Sequence, residues 1–512
     1  MNLADWIDRH AAFTPDKPAL GDADGDLDYR ALAARVAQLA GVLRGPLGVA
    51  PGDRVAFIGY NCGDLLALLF ACARVGAIFL PLNWRLAPPE HHYIVNDCTP
   101  RALFVRPEFV ADVDAARAPL GDLALVGWGA GPAGWHDLAA LADAAAPVTG
   151  ADASAGYGDP LLLCYTSGTT GQPKGALLDQ NALLFSAFNS AHMHDLTAAD
   201  RVLTTLPMFH VGGLNILTVP ALHAGASVRL HAGFEPGATL ETIERERITL
   251  TVLVPAQLVA LLAHPRWATA DLTSLRVIST GSTLVPRPLI EAVHARGVPL
   301  IQVYGATETS PIATYLRREE AARKAGSGGL PALHCALRVV DAAGRDVAPG
   351  ESGELLVKGP NVMTGYWNQP EATAEALRDG WFHSGDVGHL DADGYLFVDD
   401  RKKDLIISGG ENVYPAEIEN LLAGHPALAE VAVVGRADAQ WGEVPVAVVV
   451  LRAGSTLDLA ALQAFFAGKL ARYKHPRDLV VIDALPRNAL GKIRKDAVRG
   501  LVADRAAADG RG

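Results

Sequence analysis

The segment Tyr165-Thr166-Ser167-Gly168-Thr169-Thr170-Gly171-Gln172-Pro173-Lys174-Gly175 follows directly on the apolar run Leu161 to Cys164. It carries three glycines, four Ser or Thr hydroxyls and one lysine. A loop of this kind, entered from a strand, can wrap phosphate oxygens with backbone N–H and side-chain O–H groups. It is not the Walker sequence, because its lysine precedes a glycine and follows a proline. The chemistry it suits is retention of a polyphosphate; by composition alone an ordinary Gly/Ser/Thr surface turn is the alternative.

Such a loop needs a layered scaffold, and the hydrophobic pattern supplies one. Tyr29 to Leu43 reads as an amphipathic helix, Arg54 to Ile58 as a strand, Leu65 to Val75 as a buried helix and Ala77 to Leu82 as a strand. The alternation recurs with strands at Leu203 to Leu206, Thr251 to Val254, Val277 to Ser279 and Leu300 to Val303. Helical patterns at Leu240 to Arg247 and Leu289 to Ala295 separate some of them. This predicts two α/β subdomains with sheets covered on both faces.

From about Leu333 short strands take over, at Leu337 to Val340, Gly353 to Val357 and Tyr395 to Val398, separated by Ala343-Gly344, Pro349-Gly350 and Asp393-Gly394 turns. They predict a small β-barrel appended to the α/β units. The charged run Asp399 to Asp404 marks a boundary between an N-terminal domain, 1–400, and a small C-terminal α+β domain, 401–512. In the latter, strands are expected at Leu405 to Ser408, Val431 to Val434, Val446 to Leu451 and Leu479 to Ile482, with helices from Pro415 and Asp458. The Ala/Asp/Gly/Arg tail after about Ala503 is expected to be disordered.

The 512 residues carry 44 basic and 56 acidic side chains, a net charge of −12, and half of them are apolar. That balance excludes broad nucleic-acid binding, which needs a basic face. An anionic ligand must then be held by local cations and backbone N–H groups. Five cysteines without a C-x-x-C pair suggest neither a disulfide framework nor a clustered zinc site. Acidic residues near Met1, where a secretory signal has a basic start, point to the cytoplasm. The longest apolar stretch, Leu65 to Leu82, is interrupted by Arg74, so no membrane span is expected; peripheral contact and oligomeric state stay open.

Six segments, in order, resemble the motifs of the adenylate-forming superfamily, which includes acyl- and aryl-CoA synthetases, luciferases and peptide-synthetase adenylation domains. They are the 165–175 loop, Pro207-Met208-Phe209-His210-Val211-Gly212-Gly213, Tyr304-Gly305-Ala306-Thr307-Glu308-Thr309, Ser384-Gly385-Asp386, Asp400 to Asp404 continuing into Gly409 to Glu419, and Pro486 to Ile493. The resemblance implies an ATP-dependent acid–CoA ligase that uses Mg2+ and forms an acyl-adenylate, with a mobile C-terminal domain. It implies that Lys492 meets the carboxylate and α-phosphate, and that Thr166, Ser167, Gly168, Thr169, Thr170 and Lys174 cradle the outer phosphates. Glu308 with Thr166 would hold Mg2+. Gly281, Tyr304, Gly305, Ala306 and Thr307 would surround the nucleotide, and Asp386 would accept from the ribose hydroxyls with Arg401 assisting. A cation at Lys492 suits the charge gathering on the phosphoryl oxygens.

The same resemblance makes Lys403 a hinge and assigns Arg85, Ser408, Gly409, Gly410, Trp441 and Tyr473 to coenzyme A. His210 would gate the acyl site, which His210, Gly213, Asn215, Val254, Gly281, Gly305 and Ile312 would line. No arginine or lysine stands at those positions, which argues against a short diacid. An apolar tail follows: a medium- to long-chain fatty acid, or alternatively a hydroxycinnamate or other aryl acid. Gly281-Ser282-Thr283-Leu284 departs from the superfamily's Gly-Gly-Ala-Pro turn, which bears on pocket width. A carrier-protein-loading adenylating enzyme and a non-catalytic nucleotide-binding protein are the rival readings.

Overall fold

A computed structural model of the chain describes residues 1–116, 123–150, 155–166, 173–281, 285, 287–401, 406–422, 424–486 and 493–508. The chain divides into two compact units. The first comprises 1–84, 95–165 and 175–400; the second comprises 85–94, 166–174 and 401–512.

The first unit is built on two large sheets and a small one. In the first sheet six strands run parallel, in the order Pro18–Asp22, Ser227–Leu230, Arg201–Thr204, Leu250–Val252, Val277–Thr280 and Leu300–Tyr304. Thr314–Tyr315 and Leu330–Pro331 continue it antiparallel at one edge, and Gly25–Asp28 closes the other. Leu250–Val252 and Val277–Thr280 are buried at every position, as expected of parallel strands covered by helices on both faces. The second sheet is ordered Gly365–Tyr366, Lys174–Asp179, Pro160–Thr166, Ile78–Pro81, Arg54–Ile58, Ala102–Val105, Ala124–Gly127 and His136–Asp137.

Local chemistry sets the helix ends. Asp28 caps Tyr29–Arg44 by accepting from the Ala31 N–H at 2.7 Å, and Asp179 caps Gln180–His194 through Ala182 at the same distance. The apolar run predicted as helix is Gly63–Val75, buried on every side. Its Arg74 is 1% exposed, and its guanidinium donates to Asp8 Oδ1 at 2.6 Å and to the Val148 carbonyl at 3.2 Å. The arginine that interrupts the apolar pattern is therefore a paired core residue. Among the described residues no helix is long and apolar enough to cross a membrane.

The predicted β appendage is a five-stranded sheet of Ala336–Val340, Gly353–Lys358, Trp381–Leu390, Leu377–Arg378 and Leu396–Arg401. In the second unit Leu428–Asp438 and Gly442–Leu451 form a long antiparallel hairpin, flanked by Ile406–Ser408 and, in parallel, by Asp478–Val481. Pro415–Leu422 and Leu459–Phe466 pack around it, Asp458 capping the latter. The expectation of a disordered tail from Ala503 fails as far as Ala508, because Lys495–Ala508 is one helix. Val498 and Val502, four residues apart, bury against Val434 and Val448, which gives this stretch an apolar stripe despite its alanine and charge content.

Candidate active site

The carboxyl ends of the six parallel strands all open on one edge of their sheet, the edge at which open α/β sheets bind ligands. Residues named from sequence gather there in the first unit. Val254 follows Leu250–Val252, Gly281 follows Val277–Thr280, and Gly305 follows Leu300–Tyr304. His210, Gly213 and Asn215 follow Arg201–Thr204, and Ile312 lies past the Thr307–Thr309 turn. Glycine is required at three of these points by crowding, a Cβ on Gly281 meeting the Val303 carbonyl oxygen at 2.7 Å. A Cβ on Gly305 would stand 1.7 Å from the Pro311 carbonyl oxygen, and one on Gly213 would stand 2.3 Å from that of Pro207.

The strand end at Tyr304 reaches a carboxylate from the small sheet. Tyr304 Oη donates to Asp386 Oδ2 at 3.0 Å, and the Asp386 N–H donates to Ser384 Oγ at 3.1 Å. Ser384 Oγ in turn donates to the Leu355 carbonyl at 2.7 Å. Asp386 is thereby oriented as an acceptor, the state suited to a pair of hydroxyls. Ala306 and Thr307 lead into Glu308, whose carboxylate accepts from Tyr366 Oη at 2.8 Å while its backbone carbonyl accepts from the Met363 N–H at 2.8 Å. A fixed carboxylate oxygen fits Mg2+, which takes one or two protein oxygens and fills its remaining positions with phosphate and water. Among the described residues no group of three His, Cys, Asp or Glu side chains is arranged to hold a metal by itself.

Two residues that sequence reasoning missed hold this segment in place. Asn361 Nδ2 donates to the Thr309 and Ile312 carbonyls at 2.7 and 2.9 Å, and Tyr366 anchors Glu308. Both lie more than forty positions away from their partners, so no local pattern marks them. His210 begins the turn Val211–Gly213, its ring 4.6 Å from that of Phe209, and its carbonyl accepts from the Leu214 N–H.

The second unit brings together the residues assigned to coenzyme A. Arg85 pairs with the Glu411 carboxylate. The Gly409 N–H donates to the Trp441 carbonyl at 2.8 Å, and a Cβ on Gly409 would meet the Trp441 ring at 2.8 Å. Gly409 and Gly410 have φ of 59° and 84°, values that glycine adopts without cost. Ser408 pairs in register with Gly442, beside Trp441, and Arg477 stacks 5.4 Å over the Trp441 ring. Burial first, then the nearby charges of Glu411, Glu90 and Glu417, push the Tyr473 phenol well above its ordinary range.

Beneath this cluster is a buried charge group that sequence reasoning also missed. Lys474 Nζ lies 2.6 Å from Glu90 Oε1 and 2.9 Å from Glu417 Oε1, with all three side chains less than a tenth exposed. Glu90 also accepts from the backbone N–H groups of Ala87 and Ala471. Burial pushes the Glu417 carboxyl up to about 7, partly offset by Lys474, which also faces Glu90. The paired carboxylates keep the Lys474 ammonium charged against the pull of burial. In the same unit Thr166 Oγ1 donates to the Lys174 carbonyl at 3.4 Å. Ser167, Gly168, Thr169, Thr170, Lys403 and Lys492 lie outside the described residues, as does the Arg401 side chain.

Residues 7–367 match the family model of the AMP-binding enzyme, and residues 417–492 match that of the AMP-binding enzyme C-terminal domain. The chain belongs to the AMP-binding enzyme family, and within it to the acid–thiol ligases that join a carboxylic acid to coenzyme A. It is 58% identical to the indoleacetate–CoA ligase of Aromatoleum aromaticum over 98% of each chain. It is 45% identical to a feruloyl-CoA synthase of an Amycolatopsis species, over 98% of this chain and 99% of that one. The fold matches o-succinylbenzoate CoA synthetase from Bacillus subtilis with a TM-score of 0.86 at 33% identity, covering 97% of this chain and 98% of that chain.

Proposed function

We propose that this ligase activates an aromatic carboxylic acid of the arylacetate type, in place of the medium- to long-chain fatty acid that an apolar pocket alone suggests. The observation that carries this reading is the 58% identity, over nearly the whole of both chains, to a ligase named for indoleacetate. The absence of lysine and arginine from the seven acyl-pocket positions fits an aromatic ring without a second carboxylate.

In the first step a carboxylate oxygen attacks the α-phosphorus of ATP, the bond to the β-phosphate bridge breaks, and pyrophosphate leaves. Lys492 neutralises the approaching anions, Asp386 orients the ribose, and Glu308 would hold a magnesium ion that screens the phosphates. In the second step the thiol of coenzyme A releases its proton to water, its sulfur bonds to the acyl carbon, and the acyl C–O bond to the phosphate breaks so that AMP departs with both electrons. Lys403 is the pivot on which Lys492 withdraws, and Gly409 and Gly410 leave room for the pantetheine arm. The close approach of Gly409 to Trp441, which brings two of the residues assigned to coenzyme A side by side, supports that assignment.

The test is an acid panel assayed by pyrophosphate release, with CoA thioesters identified by mass spectrometry. The panel holds indole-3-acetate, phenylacetate, ferulate, benzoate and fatty acids of increasing length. The highest kcat/KM is expected for an arylacetate. A preference for a fatty acid overturns the reading, and adenylate without thioester removes coenzyme A from it.

A further inference from the structure

Asn215 is 1% exposed, and neither its Nδ2 nor its Oδ1 has a hydrogen-bond partner among the described residues. A side-chain amide offers two donors and two acceptor lone pairs, and buried polar atoms are almost always paired. The surroundings are not short of hydrogen bonds; they are used on the backbone. Thr218 Oγ1 donates to the Gly213 carbonyl at 2.6 Å, closing the π-helical turn Leu214–Thr218 that carries Asn215. Ser186 Oγ reaches the Asn215 carbonyl at 3.4 Å and the Ser310 carbonyl at 2.5 Å, tying that turn to the residue after the Thr307–Thr309 segment. The backbone of the turn is thus fixed while the amide itself is left unpaired. Thr280 Oγ1, on the last residue of one of the parallel strands, and Thr205 Oγ1, one residue past the end of another, are also buried without partners among the described residues. A buried amide with both polar atoms orphaned, past the carboxyl end of a parallel strand where open α/β sheets bind ligands, points to a group that arrives from outside the chain.

We infer that Asn215 recognises the ring of the acid by hydrogen bonding, so that the substrate is an aromatic acid whose ring itself bears an N–H or O–H. An aliphatic tail would leave both amide atoms stranded, whereas an indole N–H donates to Oδ1 and a phenol can serve either atom. This inference rests on the arylacetate reading above and narrows it. A site built to bond a substrate N–H or O–H discriminates strongly against a same-shaped analogue without one, because the protein group is then left unpaired.

The experiment compares indole-3-acetate with 1-benzothiophene-3-acetate, in which sulfur replaces the N–H at nearly constant shape, and 4-hydroxyphenylacetate with phenylacetate. The full-length protein is assayed for kcat/KM by pyrophosphate release. The polar member of at least one pair is expected to be favoured about 10- to 100-fold. In Asn215→Leu, which keeps the branched outline and removes the amide, that ratio is expected to fall towards one. Asn215→Ser, with a smaller polar group, serves if the leucine variant does not fold, and its ratio is expected to fall between the other two. Turnover of both members of each pair at equal efficiency by the unmodified protein, or a ratio unchanged by both substitutions, overturns the inference and leaves the arylacetate reading intact. Failure of the unmodified protein to consume any of the four acids removes that reading and the inference with it.

Discussion

The phenol of Tyr304 and the carboxylate of Asp386 meet at 3.0 Å, joining the last residue of a parallel strand of the large sheet to a residue 82 positions further along, in the small sheet. Asp386 is 7% exposed, so the phenol's donation to its carboxylate takes place largely out of water. Tyr304→Phe removes a hydrogen bond to a charged acceptor, worth about 1.5–3 kcal/mol. The KM for ATP is expected to rise roughly tenfold with kcat much less affected. Steady-state kinetics with ATP varied check this; an unchanged KM would detach Asp386 from nucleotide binding.

The Lys474 ammonium is shared by two buried carboxylates, so its removal is costly. Lys474→Met should destabilise the second unit by about 3–5 kcal/mol, because Glu90 and Glu417 are left facing one another without a cation. Glu417→Gln should be far milder, since glutamine resembles the protonated acid. Denaturant unfolding of the two variants distinguishes them, and equal losses would mean that the pairing contributes little.

The same group predicts a pH dependence of known sign. Burial raises the Glu417 carboxyl from 4.5 to about 7, so the folded state binds the proton more tightly than the unfolded state. Its contribution is complete below pH 4.5 and is lost as the pH rises through 7. The stability difference between the natural protein and Glu417→Gln should shrink steadily from pH 5 to pH 7.5, with a slope of at most about 1.4 kcal/mol per pH unit. A flat difference would place the titrating proton elsewhere.

His194 titrates in the opposite sense. Burial pushes its imidazole down to about 4, while Nε2 lies 2.6 Å from Ser279 Oγ on the Val277–Thr280 strand. The folded protein resists protonation, so this contribution is complete above pH 6.5 and disappears as the pH falls towards 4. Thermal melts of the natural protein should lose stability across that window, and His194→Gln should lose less of it. A parallel decline in both would exonerate His194.

The two half-reactions should separate by substitution. Gly409→Ala places a non-glycine residue at φ of 59° and a methyl group against the Trp441 ring, so thioester formation from supplied adenylate should fall at least tenfold. Pyrophosphate release without coenzyme A should fall much less. Lys492→Ala should do the reverse, abolishing adenylation while sparing the thiol step. Equal losses in both assays for either variant would contradict the division of labour.

Much of the scaffold was legible because its strands are short apolar runs bounded by turn residues. Arg54–Ile58 and Leu300–Tyr304 match the sequence pattern to within a residue. Helix Gln180–His194 was invisible for a physical reason: its buried positions include Gln180, Ser186, Asn189, Ser190 and His194, so no apolar stripe marks it. Strand Trp381–Leu390 went unassigned because Gly385, Asp386 and Gly388 interrupt its pattern. The site was legible where it coincides with recognisable motifs. The contacts of Glu90, Asn361 and Tyr366 were not, since each joins segments that only folding brings together.

The parallel edge of the large sheet has an implication for how this chain can change. Each strand end delivers its own loop, anchored separately by its own backbone bonds: Tyr304 leads into the turn proposed to handle nucleotide, Thr204 into the one that carries Asn215. Alterations after Thr204 can therefore retune which acid is accepted while the apparatus for spending ATP stays as it is, and a lineage can acquire new diets without reinventing its chemistry.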